Sequence, residues 1–308
     1  EAIDDLLHVN GDCSLREAIE AANTNAAVDG CAAGDPDGVA TDVIGFDVST
    51  DVGNNGPLTL SIPLVGEDVN AGGDLDVTSS IRFFGNGSSL TVVDGGGIDR
   101  VFHILSTSGI SVEFLSMQIT NGDPGAGDGG GILVGVTSTV TIDDSIITGN
   151  TTTGDGGGIF SNFADVDITD SSIDNNSATD GGGIGVGNAL ASVVTIDNTD
   201  VTNNVAGGDG GGVLVDNDFT AQNGSTVNSN DANDQGGGIH VSGSNANVTI
   251  DNSTVSMNDA LTLQGGGIYN NVGTVTIQNA SNLVGNTTPS LGGGIYNNNG
   301  ILMITDST

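Results

Sequence analysis

Between Gly129 and Ile295 the chain writes three consecutive glycines followed by Ile or Val seven times, closing on Ile132, Ile159, Ile184, Val213, Ile239, Ile268 and Ile295. The closing residues lie 25 to 29 residues apart. A recurrence of that length marks a supersecondary unit that cannot bury its apolar face alone, so neighbouring units must stack. Two further landmarks keep the same period. One is a Val-Thr-Ile-like run ending in Asp or a near relative, at Val140–Asp143, Val166–Thr169, Val194–Asp197, Val248–Asp251 and Val275–Gln278. The other is an aliphatic residue three before an Asn, in the pairs Ile147/Asn150, Ile173/Asn176, Val201/Asn204, Val227/Asn230, Val255/Asn258 and Leu283/Asn286. Length varies mainly after the Asn and after the glycines, where loops absorb it.

Stacking puts Ile on Ile and Val on Val at about 4.8 Å intervals and completes a backbone ladder between neighbours. The expectation is an all-β chain built as a single-stranded parallel β-helix, a solenoid with coils of about 27 residues. A leucine-rich horseshoe lacks its leucine signature here, and a propeller needs a longer unit with four antiparallel strands. The glycine triplets belong to turns and close backbone approaches. A phosphate loop is excluded, because no Lys-Ser/Thr pattern follows them.

The first residues read differently. Ser14-Leu15-Arg16-Glu17 has the form of a capping box, with Leu15, Ala18, Ile19 and Ala22 at helical spacing behind it. We assign residues 1–39 to an N-terminal cap whose helix covers the open first coil, and residues 40–308 to the β-helix, regular from about residue 120. Its degenerate early strands fall at Val43–Phe46, Leu58–Ile62, Ile81–Phe84, Leu90–Val93, Val101–Ile104 and Ile110–Phe114.

Thirty-nine acids stand against three arginines and no lysine, a net charge of −36. Such a surface repels nucleic acid and anionic headgroups, and both are excluded as partners. Cys13 and Cys31, the only cysteines, read as one disulfide rather than a zinc or redox site. No run approaches ~20 apolar residues, so no transmembrane segment is expected. Neither an initiating Met nor a signal-peptide pattern is present, which suits a secreted, extracellular or cell-surface chain whose leader has been removed.

Among candidate site residues, Asn150, Asn176, Asn204, Asn230, Asn258 and Asn286 would form a structural ladder of side-chain amides. Asp128, Asp155, Asp180 and Asp209 each precede a glycine triplet. Superposed, these carboxylates either splay to solvent as turn caps or share a hard cation, and oxygen-only ligands would favour calcium; no other cofactor is indicated. Gln235, Gln264 and Leu291 continue that file. His8, His103 and His240 are scattered, and nothing in the spacing selects a catalytic pair such as Asp143–Asp144. Asn150, Asn175, Asn223, Asn247, Asn252 and Asn286 each begin an Asn-X-Ser/Thr tripeptide.

The run Gly11–Asn23 containing Cys13-Ser14-Leu15-Arg16-Glu17-Ala18, followed by Cys31, resembles the start of bacterial CSLREA-domain surface proteins. Asp94-Gly95-Gly96-Gly97 with Arg100-Val101-Phe102, and Ile119-Thr120-Asn121-Gly122, look like that family too. The alternation of aliphatic-X-X-Asn with Gly-Gly-Gly-Ile is similar to the repeat of chlamydial-type polymorphic outer membrane proteins, with Ile, Val or Leu where those carry Phe. This resemblance implies a right-handed β-helix, secreted or surface-anchored, used in adhesion or as a structural exoprotein. The expected function is therefore an extracellular structural or adhesive β-helix without catalytic activity, with cell-surface or polysaccharide partners. The repeat strand Ile301–Ile304, followed by no capping coil, adds head-to-tail self-association into a filament as an expectation. The rival is a polysaccharide-degrading, pectate-lyase-like enzyme, whose family resemblance would require Arg or Lys beside acidic residues; Arg82 and Arg100 are the candidates.

Overall fold

The computed structural model describes residues 12–35, 41–46, 56–63, 70–105, 109–135, 137–187 and 192–308; Glu1, His8, Glu67 and the expected boundary at residues 39 and 40 lie outside them. Among the described residues the chain is a parallel β-solenoid preceded by one helix, Leu15–Thr24. Successive coils feed three sheets of ten, nine and nine strands, and a fourth sheet of four two-residue strands. One coil shows the plan. Thr139–Asp143 lies in the first sheet and Ile146–Thr148 in the second, the chain bends at Gly149 and Asn150, and after the glycine triplet Ile159–Ser161 enters the third. The next coil opens at Asp165.

The register is the one the repeat demands. Ile132, Ile159, Ile184, Val213, Ile239, Ile268 and Ile295 pair as neighbours in the third sheet. In the first sheet Val140, Val166 and Val194 stack in one file and Ile142, Ile168 and Ile196 in another. All six are at most 1% exposed. Alternate residues point outward, as the two-residue strand period requires. Each fully buried Val or Ile contributes about 1.5–3 kcal/mol, and repetition along the axis makes the narrow core sufficient.

Coils of this size must bend sharply, and short polar residues make the bends. After the first sheet Asp144, Asp170, Asn198, Asn223, Asn252 and Asn279 take φ between 46° and 56°, a left-handed conformation that Asn and Asp tolerate because their side chains bond the local backbone. Much of the acid and amide content is therefore turn chemistry. In the glycine triplets close approach is the constraint: a Cβ on Gly157 would sit 2.3 Å from the Gly182 carbonyl oxygen of the adjacent coil.

The helix is capped as its sequence requires, with the Ser14 side chain accepting the Glu17 N–H and the Glu17 carboxylate accepting the Ser14 N–H. Leu15, Ile19 and Ala22 join the solenoid core, and the helix packs on strands Leu75–Val77 and Asp42–Gly45. Arg16, 0% exposed, pins it there by donating to the carbonyl oxygens of Gly73 (2.8 Å) and Asp74 (2.7 Å). Cys13 and Cys31 are disulfide-bonded. Strand Leu75–Val77 was not foreseen from the sequence, because Asp74-Leu75-Asp76-Val77 carries one acid on either side of a lone Leu.

Candidate functional site

The predicted Asn residues meet at the bend after the second sheet. Asn204 is representative and fully buried. Its Oδ1 accepts the backbone N–H of Asn176 at 2.9 Å and the Asn176 Nδ2–H at 3.1 Å. Its own Nδ2 donates to Ile173 O at 2.9 Å and to Asn230 Oδ1 at 3.0 Å. Each amide thus spans three coils, and the pattern runs from Asn150 to Asn286. Four acceptors and donors are satisfied without water in a place where an orphaned group would be costly. These amides are consumed by the fold and offer nothing to a ligand.

A second polar file escaped the sequence reading. Ser145, Ser171, Thr199, Ser225, Ser253 and Ser281 line the corner between the first and second sheets, all buried. The N–H of Ser145 donates to Ser171 Oγ at 3.1 Å, that of Ser171 to Thr199 Oγ1 at 3.2 Å, and that of Thr199 to Ser225 Oγ at 3.2 Å. Its signal was present: a hydroxyl stands two residues before every aliphatic member of the Asn element.

Asp128, Asp155, Asp180 and Asp209 stack beside the third sheet, partly buried. Their carboxylates are turned along the axis, Asp128 Oδ1 accepting the Asp155 N–H at 2.9 Å and Asp180 Oδ1 the Asp209 N–H at 2.6 Å. Asp209 bonds the Gln235 N–H at 2.9 Å and lies 3.0 Å from His240 Nδ1. Burial, then the charges of Asp128, Asp180 and Asp216, pushes the Asp155 carboxyl up to about 6. Asp180 is raised chiefly by burial, and the N–H of Asp209 partly offsets this. The file therefore caps backbone, and among the described residues it gathers no three carboxylates at one point.

A different gathering, of two carboxylates and an imidazole, occurs nearer the cap, where Asp74, Asp76 and His103 each place a ligand-type atom within 4.8 Å of the others. Asp76 and His103 are register partners on adjacent strands of the third sheet. Asp74 is bound by Arg100 Nη1 at 2.7 Å. His103 Nδ1 lies 3.5 Å from Asp76 Oδ1 and 4.0 Å from Asp74 Oδ2. Burial outweighs the attraction of Arg100 at Asp74, and with Asp76 and Asp99 nearby the carboxyl is pushed up to about 7. The sequence had left His103 isolated; one coil of separation brings it onto Asp76.

Arg82 makes two 2.8 Å bonds to Glu113 across the first sheet. Of the tripeptide asparagines, Asn175, Asn223, Asn247 and Asn252 are exposed while Asn150 is buried in the amide file. The described residues contain no helix long and apolar enough to cross a membrane. A family described as right handed beta helix region matches residues 103–299, well over half of the chain. No curated protein and no solved structure matches.

Proposed function

The chain belongs to the right-handed β-helix family, and we propose that it is an extracellular or cell-surface structural rod used in adhesion, without catalytic activity. One observation carries this reading: every arginine of the chain is committed to the chain itself. There is no lysine and there are three arginines. Arg16 lies buried on backbone carbonyls, Arg82 is paired with Glu113, and Arg100 with Asp74. Eliminative cleavage of an acidic polysaccharide needs a positive group on the substrate carboxylate; a surface of net charge −36 with its arginines occupied is poorly suited to supply one. The polar files support a stiff body, since two buried ladders lock together the coils between Ser145 and Asn286. Nine to ten stacked strands give a rod on the order of 45 Å long. The disulfide and the resemblance of the first residues to bacterial surface proteins support placement outside the cytoplasm.

The test uses the full chain with millimolar calcium present. Beads coated with it are expected to adhere saturably to polysaccharide-coated or cell surfaces, and incubation with acidic and neutral polysaccharides is expected to leave chain length unchanged. Release of unsaturated products, lost in Arg100→Ala, would replace this reading with a polysaccharide lyase.

A further inference from the structure

The outward file of the third sheet runs Asp76, His103, Leu133, Phe160, Gly185, Leu214, His240, Tyr269 and Tyr296 in consecutive register. Only its first two places set an acid directly against an imidazole, and the mainly apolar residues of the other places show that solenoid packing does not call for that pair. Both carboxylates at that end are almost wholly buried, Asp74 at 1% and Asp76 at 0% exposure. The two oxygens of Asp76 differ. Oδ2 accepts the Asn70 N–H at 2.8 Å, whereas Oδ1 has no hydrogen-bond partner and faces His103 Nδ1 at 3.5 Å. A buried carboxylate oxygen left in that condition is expensive unless a cation meets it.

Charge points the same way. Asp74, Asp76 and Asp99 are all buried, and Arg100 lies against Asp74. Asp99 accepts the Arg100 N–H at 2.8 Å on one oxygen, and its other oxygen is also without a hydrogen bond. Of these three acids, Asp74 is the one the Arg100 guanidinium engages, while Asp76 faces His103.

We propose that Asp74, Asp76 and His103 bind one divalent ion of the zinc class. Two carboxylates and an imidazole are a mixed oxygen and nitrogen set, which suits zinc and its neighbours and is poorly matched to calcium. A tetrahedral ion with bonds of about 2.0–2.1 Å holds its donors roughly 3.4 Å apart, close to the 3.5 Å between Asp76 Oδ1 and His103 Nδ1. Arg100 acts as the outer partner that fixes the orientation of Asp74. The site's role is structural. The segment Asn70–Asp76 supplies two of the ligands and also the carbonyls that hold Arg16, so an ion there fastens the cap helix to the first coils.

The experiment titrates zinc(II), and cobalt(II) as its spectroscopic substitute, into chelator-treated full chain in excess calcium, which occupies exposed acids. One equivalent is expected to bind, with visible cobalt bands, and His103→Gln and Asp76→Asn are each expected to weaken it on the order of tenfold or more. Circular dichroism and thiol assay verify the fold and disulfide of each variant. Independently of any variant, zinc is expected to move the Nδ1 resonance of His103 while that of His240 stays. Absence of saturable uptake, displacement by calcium, undiminished binding in both variants, or a response at His240 instead of His103 would each overturn the proposal.

Discussion

Replacing Asn204 by Ala is the sharpest probe of how the coils are joined. The side chain is fully buried and makes four bonds between 2.9 and 3.1 Å. Two partners retain other bonds: Asn176 Nδ2 still reaches Ile147 O, and Asn230 Oδ1 still accepts the Asn204 N–H. The Asn176 N–H loses this acceptor, and Ile173 O loses this donor. Each lost bond to a buried backbone group costs about 1–3 kcal/mol, and the vacated amide volume adds a cavity term. The expected loss is about 3–5 kcal/mol of unfolding free energy by urea titration, with faster hydrogen exchange at the Asn176 amide. Asn245→Ala, at an exposed position, supplies the baseline, expected within about 0.5 kcal/mol of the parent. If Asn204→Ala falls within about 1 kcal/mol of Asn245→Ala and the Asn176 amide keeps its protection, the amide file is not what secures the coils.

The other expectations rest on separate features. Asp155 holds its proton more tightly folded than unfolded, with its carboxyl raised from 3.8 to about 6, so its ionisation costs stability as pH rises through that window and none of the cost exists below it. Asp155→Asn should raise the melting temperature at pH 7 and flatten its pH dependence between about 4 and 6; a steeper dependence or a lower melting temperature would contradict the assignment. Removing the disulfide, which closes an 18-residue separation, by Cys13→Ser with Cys31→Ser should cost about 3 kcal/mol. The damage should be confined to amide protection in Leu15–Thr24, and equal loss in the distal coils would refute that. Gly157→Ala should destabilise by about 3 kcal/mol through overlap with the next coil. Gly294→Ala, where an added Cβ meets nothing within 4 Å, should be neutral or stabilising by calorimetry.

What could be read from the sequence is what repetition writes down. In-register stacking asks for the same residue type at the same place in every coil, so the Ile after the glycines, the Val-Thr-Ile strands and the Asn three after an aliphatic residue announce themselves. Ser145 and its five counterparts repeat as faithfully, but Ser and Thr are common in turns and pass as filler. Leu75–Val77 has too little apolar sequence to advertise a strand. Once that strand is missed, Asp76 has no visible relation to His103, and their approach follows only from counting back one coil. The outward residues Phe160, Leu214 and Tyr269 are nearly buried, at 8, 8 and 7% exposure, which alternation alone does not forecast. A Cβ at Gly156 or Gly181 would meet Phe160 or Leu214, so the returning glycine loop is what covers them.

The amide file makes the girth of this molecule invariant and its length adjustable. Every Asn passes its bonds to the same atoms one layer on, so duplicating a whole layer recreates each interior contact already present. Adding two residues between Ser171 and Asn176 would throw the hydroxyl file and the amide file out of phase together. The same two residues placed between the Asn and the glycines, where Asn176 precedes Gly181 and Asn204 precedes Gly210 by different intervals, would disturb neither. Natural variants of such a chain are therefore expected to differ by complete layers or by the size of the loops that follow the Asn and the glycines.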